Sequence, residues 1–272
     1  MRLLREIRNI ETENGPLQLV VIRPKEPGGN VPGILWMHGG GYYEGSADMV
    51  LLSRARDAAR KFGAVVVSPE YRLAPADPYP AALDDCYAAL EWIDANREAL
   101  GVSRIIVGGE SAGGGLAAAL AMLARDRGRI KIDYQLPIYP MLDCFDTDSS
   151  RDNRSLFWNT KKNHEAWRMY LGELYGREDV PPYASPSRQK DYSHLPPCYT
   201  FVCDGEPFYR ETLDYVEALK KAGVPARADV YHADVHAFDM VFPWTHISRD
   251  AKAGFIENIG RMIKDEFGTE DV

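Results

Sequence analysis

Apolar and polar residues alternate one by one over the first part of the chain and follow a longer period after it. The alternating segments run from Leu3 to Ile10 and from Leu17 to Arg23, and they are joined through Asn14-Gly15. Alternation with a period of two is typical of half-buried strands, and Asn-Gly is a strong turn signal. The opening segments are therefore predicted to form a β-hairpin.

After the hairpin, short apolar runs alternate with longer stretches of helical periodicity. The runs predict strands at Gly33 to Met37, Ala64 to Ser68, Arg104 to Gly108, Tyr134 to Ile138, Cys198 to Cys203 and Ala226 to Tyr231. The stretches between them predict helices at Asp48 to Phe62, Pro80 to Ala99, Ser111 to Arg127, Tyr209 to Ala222 and Ile247 to Phe267. Repeated strand–helix–strand units predict a mainly parallel sheet covered by helices on both faces. We expect an α/β fold of about eight strands, with the hairpin at one edge and residues 1–272 in a single domain.

One segment, Asp143 to Tyr192, interrupts this alternation. It is rich in polar and aromatic residues, offers no buried strand, and favours a helix only around Glu165 to Leu174. Long excursions from a compact sheet are usually lids or binding loops. We therefore expect an insertion that covers a functional site and is not a separate domain.

Composition narrows the class of protein. The chain is 45% hydrophobic and 26% charged, as expected of a soluble globular enzyme, and its net charge of −8 argues against a nucleic-acid partner. The first residues carry charges throughout, and no apolar run approaches the ~20 residues of a membrane span. The four cysteines form no Cys-x-x-Cys pair and are expected to be reduced thiols of a cytoplasmic protein: Cys86, Cys144, Cys198 and Cys203.

The sequence Gly109-Glu110-Ser111-Ala112-Gly113 matches G-x-S-x-G between a predicted strand and an alanine-rich helix. A tight turn in this position pushes the serine hydroxyl out of the sheet, and the residues two before and two after the serine crowd together, so both must be glycine. The positive end of the following helix lies near a developing oxyanion. This motif predicts Ser111 as a nucleophile, although glycine and serine also occur in ordinary turns.

A second glycine motif, His38-Gly39-Gly40-Gly41, follows the predicted strand that ends at Met37. Three glycines allow backbone N–H groups to approach a substrate oxygen without obstruction by side chains. We expect Gly40, Gly41 and Ala112 to supply the oxyanion-hole donors, with His38 and Gly39 supporting the loop.

A nucleophilic serine requires a base and an orienting acid. Among six histidines, His236 lies in the loop after the predicted strand that ends at Tyr231, whereas His232 is nearer the strand and is expected to be structural. The acid is expected after the preceding strand, where both Asp204 and Glu206 are candidates. Spacing alone does not choose between them.

The chain resembles the hormone-sensitive-lipase family of bacterial esterases over most of its length. Besides the two glycine motifs, the resemblance rests on Tyr71-Arg72-Leu73-Ala74-Pro75, on Pro80-Ala81-Ala82-Leu83 with Asp85, and on Ser185-Pro186. The family's Asp-Pro-Leu-x-Asp-Glu pattern corresponds to residues 206–211, which implies that Glu206 is the acid and that glutamate replaces the commoner aspartate. The family's histidine falls on His236. Arg72 and Asp85 are expected to form a structural ion pair.

The resemblance implies an α/β-hydrolase that cleaves short-chain acyl esters, acetyl to butyryl, through a Ser-His-Glu triad and an acyl-enzyme. No metal or organic cofactor is expected, and a homodimer is a reasonable expectation from the family. Only 37 residues precede His38, so we expect a reduced cap and a more open pocket than in most members.

Three alternatives remain. An amide-type hydrolase such as a formamidase would use the same residues. A dinucleotide-binding enzyme is suggested by Gly113 to Ala118, which fits G-x-G-x-x-A but would fall inside the helix and not in the turn before it. A non-catalytic ligand-binding homologue would usually carry a damaged triad, whereas every member is present here.

Overall fold

The computed structural model describes residues 1–26 and 28–268. Within them, eight strands form one sheet: β1 (Leu3–Thr12), β2 (Gly15–Pro24), β3 (Val31–Met37), β4 (Val65–Pro69), β5 (Val102–Glu110), β6 (Tyr134–Ile138), β7 (Cys198–Cys203) and β8 (Ala226–Tyr231). Their order is β1-β2-β4-β3-β5-β6-β7-β8. Neighbours from β4 to β8 are parallel, whereas β2 is antiparallel to both β1 and β4. The predicted α/β sheet with an antiparallel hairpin at one edge is confirmed.

Helices cover both faces of this sheet. They are α1 (Arg54–Phe62), α2 (Ala81–Ala95), α3 (Arg97–Leu100), α4 (Ala112–Arg127), α5 (Thr160–Leu171), α6 (Tyr209–Lys221), α7 (Phe238–Val241) and α8 (His246–Ile263). The buried faces of α2, α4 and α6 pack into the apolar core on one side, and those of α1 and α8 into the core on the other. Because the sheet is buried on both faces, its parallel strands read as continuous apolar runs in the sequence. No helix in the described part of the chain has the length and apolar character of a membrane span.

Two predicted helices are broken where a polar side chain bonds to the backbone. The prediction for Asp48 to Phe62 splits into a 3-10 helix, Ala47–Leu51, and α1, because the Ser53 hydroxyl donates to the Val50 carbonyl at 2.9 Å and its own backbone is extended. The prediction for Pro80 to Ala99 splits at Asn96, whose amide donates to the Trp92 carbonyl at 2.7 Å. Such bonds compete with the helical pattern.

The insertion between β6 and β7 is tied down at its base. The Ser185 hydroxyl donates to the Leu142 carbonyl at 2.9 Å and accepts from the Cys144 amide at 3.1 Å, so the outgoing and returning chains are fastened together. The buried Glu211 carboxylate accepts from the Leu142 amide at 2.6 Å. Ser185 and Glu211 therefore hold the base of the segment against the end of the sheet.

The helix inside the insertion packs onto the glycine loop that follows β3. It starts earlier than predicted, at Thr160, because the Asn159 side chain caps it by accepting from the Lys162 amide. The Tyr170 ring stacks on Tyr42 with 3.8 Å between ring centroids. This contact places α5 over the carboxyl end of β3.

A buried carboxyl group lies beneath the carboxyl ends of the central strands. Glu110, the last residue of β5, accepts a hydrogen bond from the Trp36 indole N–H at 2.6 Å. Its other oxygen has no hydrogen-bond partner among the described residues. Burial raises the pKa of Glu110 to about 8, partly offset by the hydrogen bond from Trp36. The side chain is therefore a neutral acid at pH 7.

The variant Glu110→Gln tests this burial. The folded protein keeps a proton that the unfolded chain releases above pH 4.5, so its free energy of unfolding falls as the pH rises towards about 8. Glutamine keeps an oxygen for Trp36 and does not titrate. Urea denaturation across this window is expected to show the variant gaining stability relative to wild type with rising pH, on the order of 5 kcal/mol in total. A difference that stays constant with pH would contradict the buried acid.

Candidate active site

Ser111 occupies a strained turn between β5 and α4. Its backbone has φ 58° and ψ −118°, a conformation that side chains rarely adopt and that persists only when the surroundings enforce it. The surroundings do so through three hydrogen bonds of 3.0 Å: the Ser111 amide donates to Ile138, and its carbonyl accepts from Gly115 and Met141. The turn therefore fixes the serine side chain at the rim of the sheet, as G-x-S-x-G predicts.

The two outer glycines of this motif are required by packing. A Cβ atom at Gly109 or at Gly113 would overlap the carbonyl oxygen of Met37, the last residue of β3. The absence of both side chains lets the serine turn press against the end of β3. As a result the glycine loop lies beside the serine, and the Cβ position of Gly39 is 3.4 Å from the Ser111 Cβ.

The glycine loop leaves backbone donors free. Gly40 has φ 119° and Gly41 has φ 59°, conformations that glycine adopts without steric cost. Their amides have no acceptor among the described residues. Ala112 is the first residue of α4, so its amide has no acceptor within the helix. The three amides that the sequence predicts as donors therefore have no backbone acceptor within the described part of the protein.

His38 fastens this loop from inside. Its ring is buried and stacks on Tyr71 with 4.1 Å between centroids, and the Tyr71 hydroxyl donates to the His38 carbonyl at 2.8 Å. Its Nδ1 lies 2.7 Å from the Gly39 carbonyl oxygen. Burial lowers the pKa of His38 to about 4, partly offset by the contact with Gly39. His38 is therefore neutral at pH 7 and braces the loop.

His236 reaches Ser111 from the opposite side. It lies between β8 and α7, and its Nε2 is 2.9 Å from the Ser111 Oγ. The Glu206 Oε1 lies 3.3 Å from the other ring nitrogen, Nδ1, which is an ion-pair distance. Neither of these two atoms has a hydrogen-bond partner among the described residues, so each is available to the other. Three distant stretches of chain therefore meet in the order hydroxyl, imidazole, carboxylate.

The two candidate acids face different histidines. Glu206 is fully buried and faces His236, whereas Asp204 contacts His232 at 2.7 Å. The His232 side chain is 98% exposed. Their hydrogen bond lowers the pKa of Asp204 and raises the pKa of His232. Spacing did not separate Asp204 from Glu206, and the structure places only Glu206 beside the histidine that contacts Ser111.

Trp158 belongs to the insertion and covers the site. The sequence did not identify it as a site residue. Its side chain lies so close to Gly41 that a Cβ there would overlap the indole. Its ring centroid is 6.2 Å from that of His236, and only 6% of the residue is exposed. The aromatic content of the insertion was the only signal, because no spacing rule relates residue 158 to either glycine motif.

Asp239 is a second residue that sequence reasoning missed. It lies three residues after His236, is fully buried, and pairs with the Arg54 guanidinium at 3.0 Å. It also accepts from the Tyr139 hydroxyl at 3.0 Å, and the edge of the Tyr139 ring contacts His236. The arrangement ties the histidine loop to α1 and to the end of β6. An aspartate inside the apolar run Phe238–Val241 was the available signal.

Other predicted positions have structural roles. Arg72 and Asp85 form the expected ion pair, with 2.8 Å between Nη2 and Oδ1. Residues 113–118 lie inside α4, where the Cα of Gly115 approaches the Met141 carbonyl too closely to allow a side chain.

All four cysteines are free thiols, and three of them are buried. Within the described residues, no group of three or more His, Cys, Asp or Glu side chains is arranged to hold a metal ion.

Comparison with known proteins identifies the family of this chain. Residues 34–240 match the family described as alpha/beta hydrolase fold. Esterase LipI from Mycobacterium tuberculosis is 35% identical over 211 residues, covering 76% of this chain and 65% of that protein. Carboxylesterase NlhH from the same organism is 34% identical over 216 residues, covering 77% and 67%. The chain thus spans about two thirds of the length of these relatives.

Solved structures show the same likeness. A bacterial heroin esterase superimposes with a TM-score of 0.91 at 33% identity, covering 96% of this chain and 84% of that one. The strand order, the serine turn and the family match all agree with the resemblance that the motifs predict. The chain belongs to the α/β-hydrolase fold family, within its hormone-sensitive-lipase-like group.

Proposed function

We propose that this chain hydrolyses carboxylic esters with short acyl groups, acetyl to butyryl, using Ser111, His236 and Glu206. The observation that carries the proposal is the 2.9 Å contact between His236 Nε2 and Ser111 Oγ, with the buried Glu206 behind the ring. A nucleophile, a base and an orienting acid in this order are what acyl transfer requires. The esterase names of LipI and NlhH support the reaction class.

The reaction proceeds in two steps. His236 takes the hydroxyl proton as the Ser111 oxygen attacks the ester carbonyl, and Glu206 stabilises the resulting imidazolium. Collapse of the tetrahedral intermediate breaks the bond to the alcohol, which leaves with the proton from His236. Water then attacks the acyl-enzyme with His236 again as base, which releases the carboxylic acid and restores Ser111.

Negative charge develops on the carbonyl oxygen in each step. Gly40 and Gly41 follow Gly39, whose Cβ position is 3.4 Å from the Ser111 Cβ, and Ala112 follows Ser111 itself. The free amides of these three residues are the donors that we assign to the oxyanion, and each such donor is worth about 3 kcal/mol in acyl-transfer enzymes. His38 and Gly39 hold these donors in place, because the His38 ring is locked against Tyr71. A neutral His38 adds no competing charge to the site.

The insertion from Asp143 to Tyr192 serves as a lid within a single domain. Only 6% of Ser111 and 6% of His236 are exposed, so little space remains above the nucleophile. Trp158 takes up that space, since it contacts the Gly41 backbone and lies beside the His236 ring. A site restricted in this way favours a small acyl group over a long one.

A series of p-nitrophenyl esters from acetate to decanoate tests the proposal. We expect wild type to turn over the acetate and butyrate esters. Ser111→Ala is expected to lower kcat by about 10⁴-fold or more, because the nucleophile is lost. Glu206→Gln is expected to lower kcat by at least about 10³-fold, because a neutral amide cannot stabilise the imidazolium.

Asp204→Asn is the matched control for Glu206→Gln, because it makes the same change on the exposed pair with His232. It is expected to keep turnover close to wild type. Full activity in Ser111→Ala would refute Ser111 as the nucleophile. Loss of activity in Asp204→Asn, together with full activity in Glu206→Gln, would show that Asp204 and not Glu206 is the acid.

The variant Trp158→Ala tests the restriction by the lid. Removal of the indole opens space above Gly41, so the ratio of kcat/KM for the octanoate ester to that for the acetate ester is expected to rise by about tenfold or more. Trp244→Ala is the control, because Trp244 is 68% exposed and its ring packs on Phe242. An unchanged ratio in Trp158→Ala would contradict the role of Trp158.

A further inference from the structure

The carboxylate of Glu206 has few hydrogen-bond donors for a charge that is fully buried. Its Oε1 faces His236, and its Oε2 lies 3.1 Å from the Cys203 sulfur. Among the described residues, no other side chain or amide donates to this carboxylate. A buried charge without hydrogen-bond donors is costly in free energy. Even a weak donor such as the Cys203 thiol therefore contributes to the stability of this carboxylate.

Cys203 is suited to donate because it keeps its proton. Burial raises the pKa of the Cys203 thiol well above its usual range, and the nearby negative charge of Glu206 raises it further. The sulfur also lies 3.4 Å from the carbonyl of Val235, the residue before His236. The shorter contact is with Glu206, so the single S–H proton is directed at the charged acceptor.

A glutamate at position 206 depends on the contact with Cys203 more than an aspartate would. Its side chain has one more rotatable bond, and its Oε1 lies 3.3 Å from His236 Nδ1, where the two atoms approach without a formed hydrogen bond. A donor on Oε2 fixes the rotation of the carboxylate, and therefore fixes where Oε1 lies relative to the ring. Cys203 and Glu206 lie at the end of β7 and in the turn after it, so the strand holds the donor rigidly.

We propose that Cys203 is a positioning residue: its S–H group donates to Glu206 Oε2 and holds Oε1 against His236 Nδ1. The inference rests on the proposed function for its kinetic consequence, but the geometric claim concerns only Cys203, Glu206 and His236. Cys203 does not contact Ser111 or the glycine loop in any described interaction, so it acts through the acid.

Four variants form the test, two at Cys203 and two at Cys198. Cys198 begins the same strand, is equally buried, and has no described side-chain hydrogen bond, so it is a matched control for loss of a buried thiol. Cys203→Ala removes the donor and is expected to lower kcat for p-nitrophenyl acetate by about tenfold with KM near wild type. Cys203→Ser keeps a donor and is expected to recover most of that loss. Cys198→Ala and Cys198→Ser are expected to change the melting temperature and not kcat.

A second readout needs no substrate. The proton resonance of His236 Nδ1, assigned by its loss in His236→Ala, reports how closely the Glu206 carboxylate approaches this nitrogen. It is expected to shift in Cys203→Ala and to stay in place in Cys203→Ser and in both Cys198 variants. If wild type fails to hydrolyse the esters but the resonance responds in this pattern, the proposed function fails and the positioning role stands.

Other outcomes overturn the inference. Wild-type kcat together with an unshifted resonance in Cys203→Ala would show that the thiol does not orient the acid. Equal losses in Cys203→Ala and Cys203→Ser would show that the size of the sulfur matters and its proton does not. If Cys203→Ala proves too unstable to purify, Cys203→Ser compared with Cys198→Ser decides: a large kcat loss confined to Cys203→Ser would contradict the donor.

Discussion

The site depends on a steric constraint at the carboxyl end of β3. The Met37 carbonyl oxygen lies so close to the backbone at residues 109 and 113 that neither position has room for a Cβ atom. This contact lets the turn after β5 press against the turn after β3, and it holds Ser111 in a conformation that is strained for a residue with a side chain. For the same reason the start of the glycine loop, at Gly39, lies beside Ser111.

Buried acidic side chains near the site are each held by a specific partner. Glu110 is bonded to Trp36, Asp239 is paired with Arg54 and bonded to Tyr139, and Glu206 lies between His236 and Cys203. In a medium of low polarity, such pairs tolerate little displacement, because an unpaired buried charge is costly. The arrangement therefore makes the rim of the sheet rigid on the side of His236. Trp158 approaches from an insertion that Ser185 fastens at its base.

The features that could be predicted from the sequence are those that neighbouring residues determine. The strands, most of the helices and the two glycine motifs follow from periodicity and from the steric needs of tight turns, which neighbours in sequence determine. The breaks at Ser53 and Asn96 were missed because a helical pattern does not reveal which side chain bonds back to the backbone. Spacing did not choose between Asp204 and Glu206, the family pattern pointed to Glu206, and only the structure shows which carboxylate faces His236. Trp158 and Asp239 make their contacts with distant segments, which a single sequence does not encode in a readable form.

The most direct test of a nucleophilic Ser111 is covalent capture. A p-nitrophenyl alkylphosphonate with a short alkyl chain places a tetrahedral phosphorus at the serine oxygen and loses p-nitrophenol, and the phosphonate oxygen occupies the position of the oxyanion. Mass spectrometry of the intact protein and of its peptides is expected to show one adduct per chain, located on Ser111 and absent in His236→Ala. An unlabelled protein, or an adduct on another residue, would contradict the meeting of Ser111, His236 and the glycine loop on which the proposal rests.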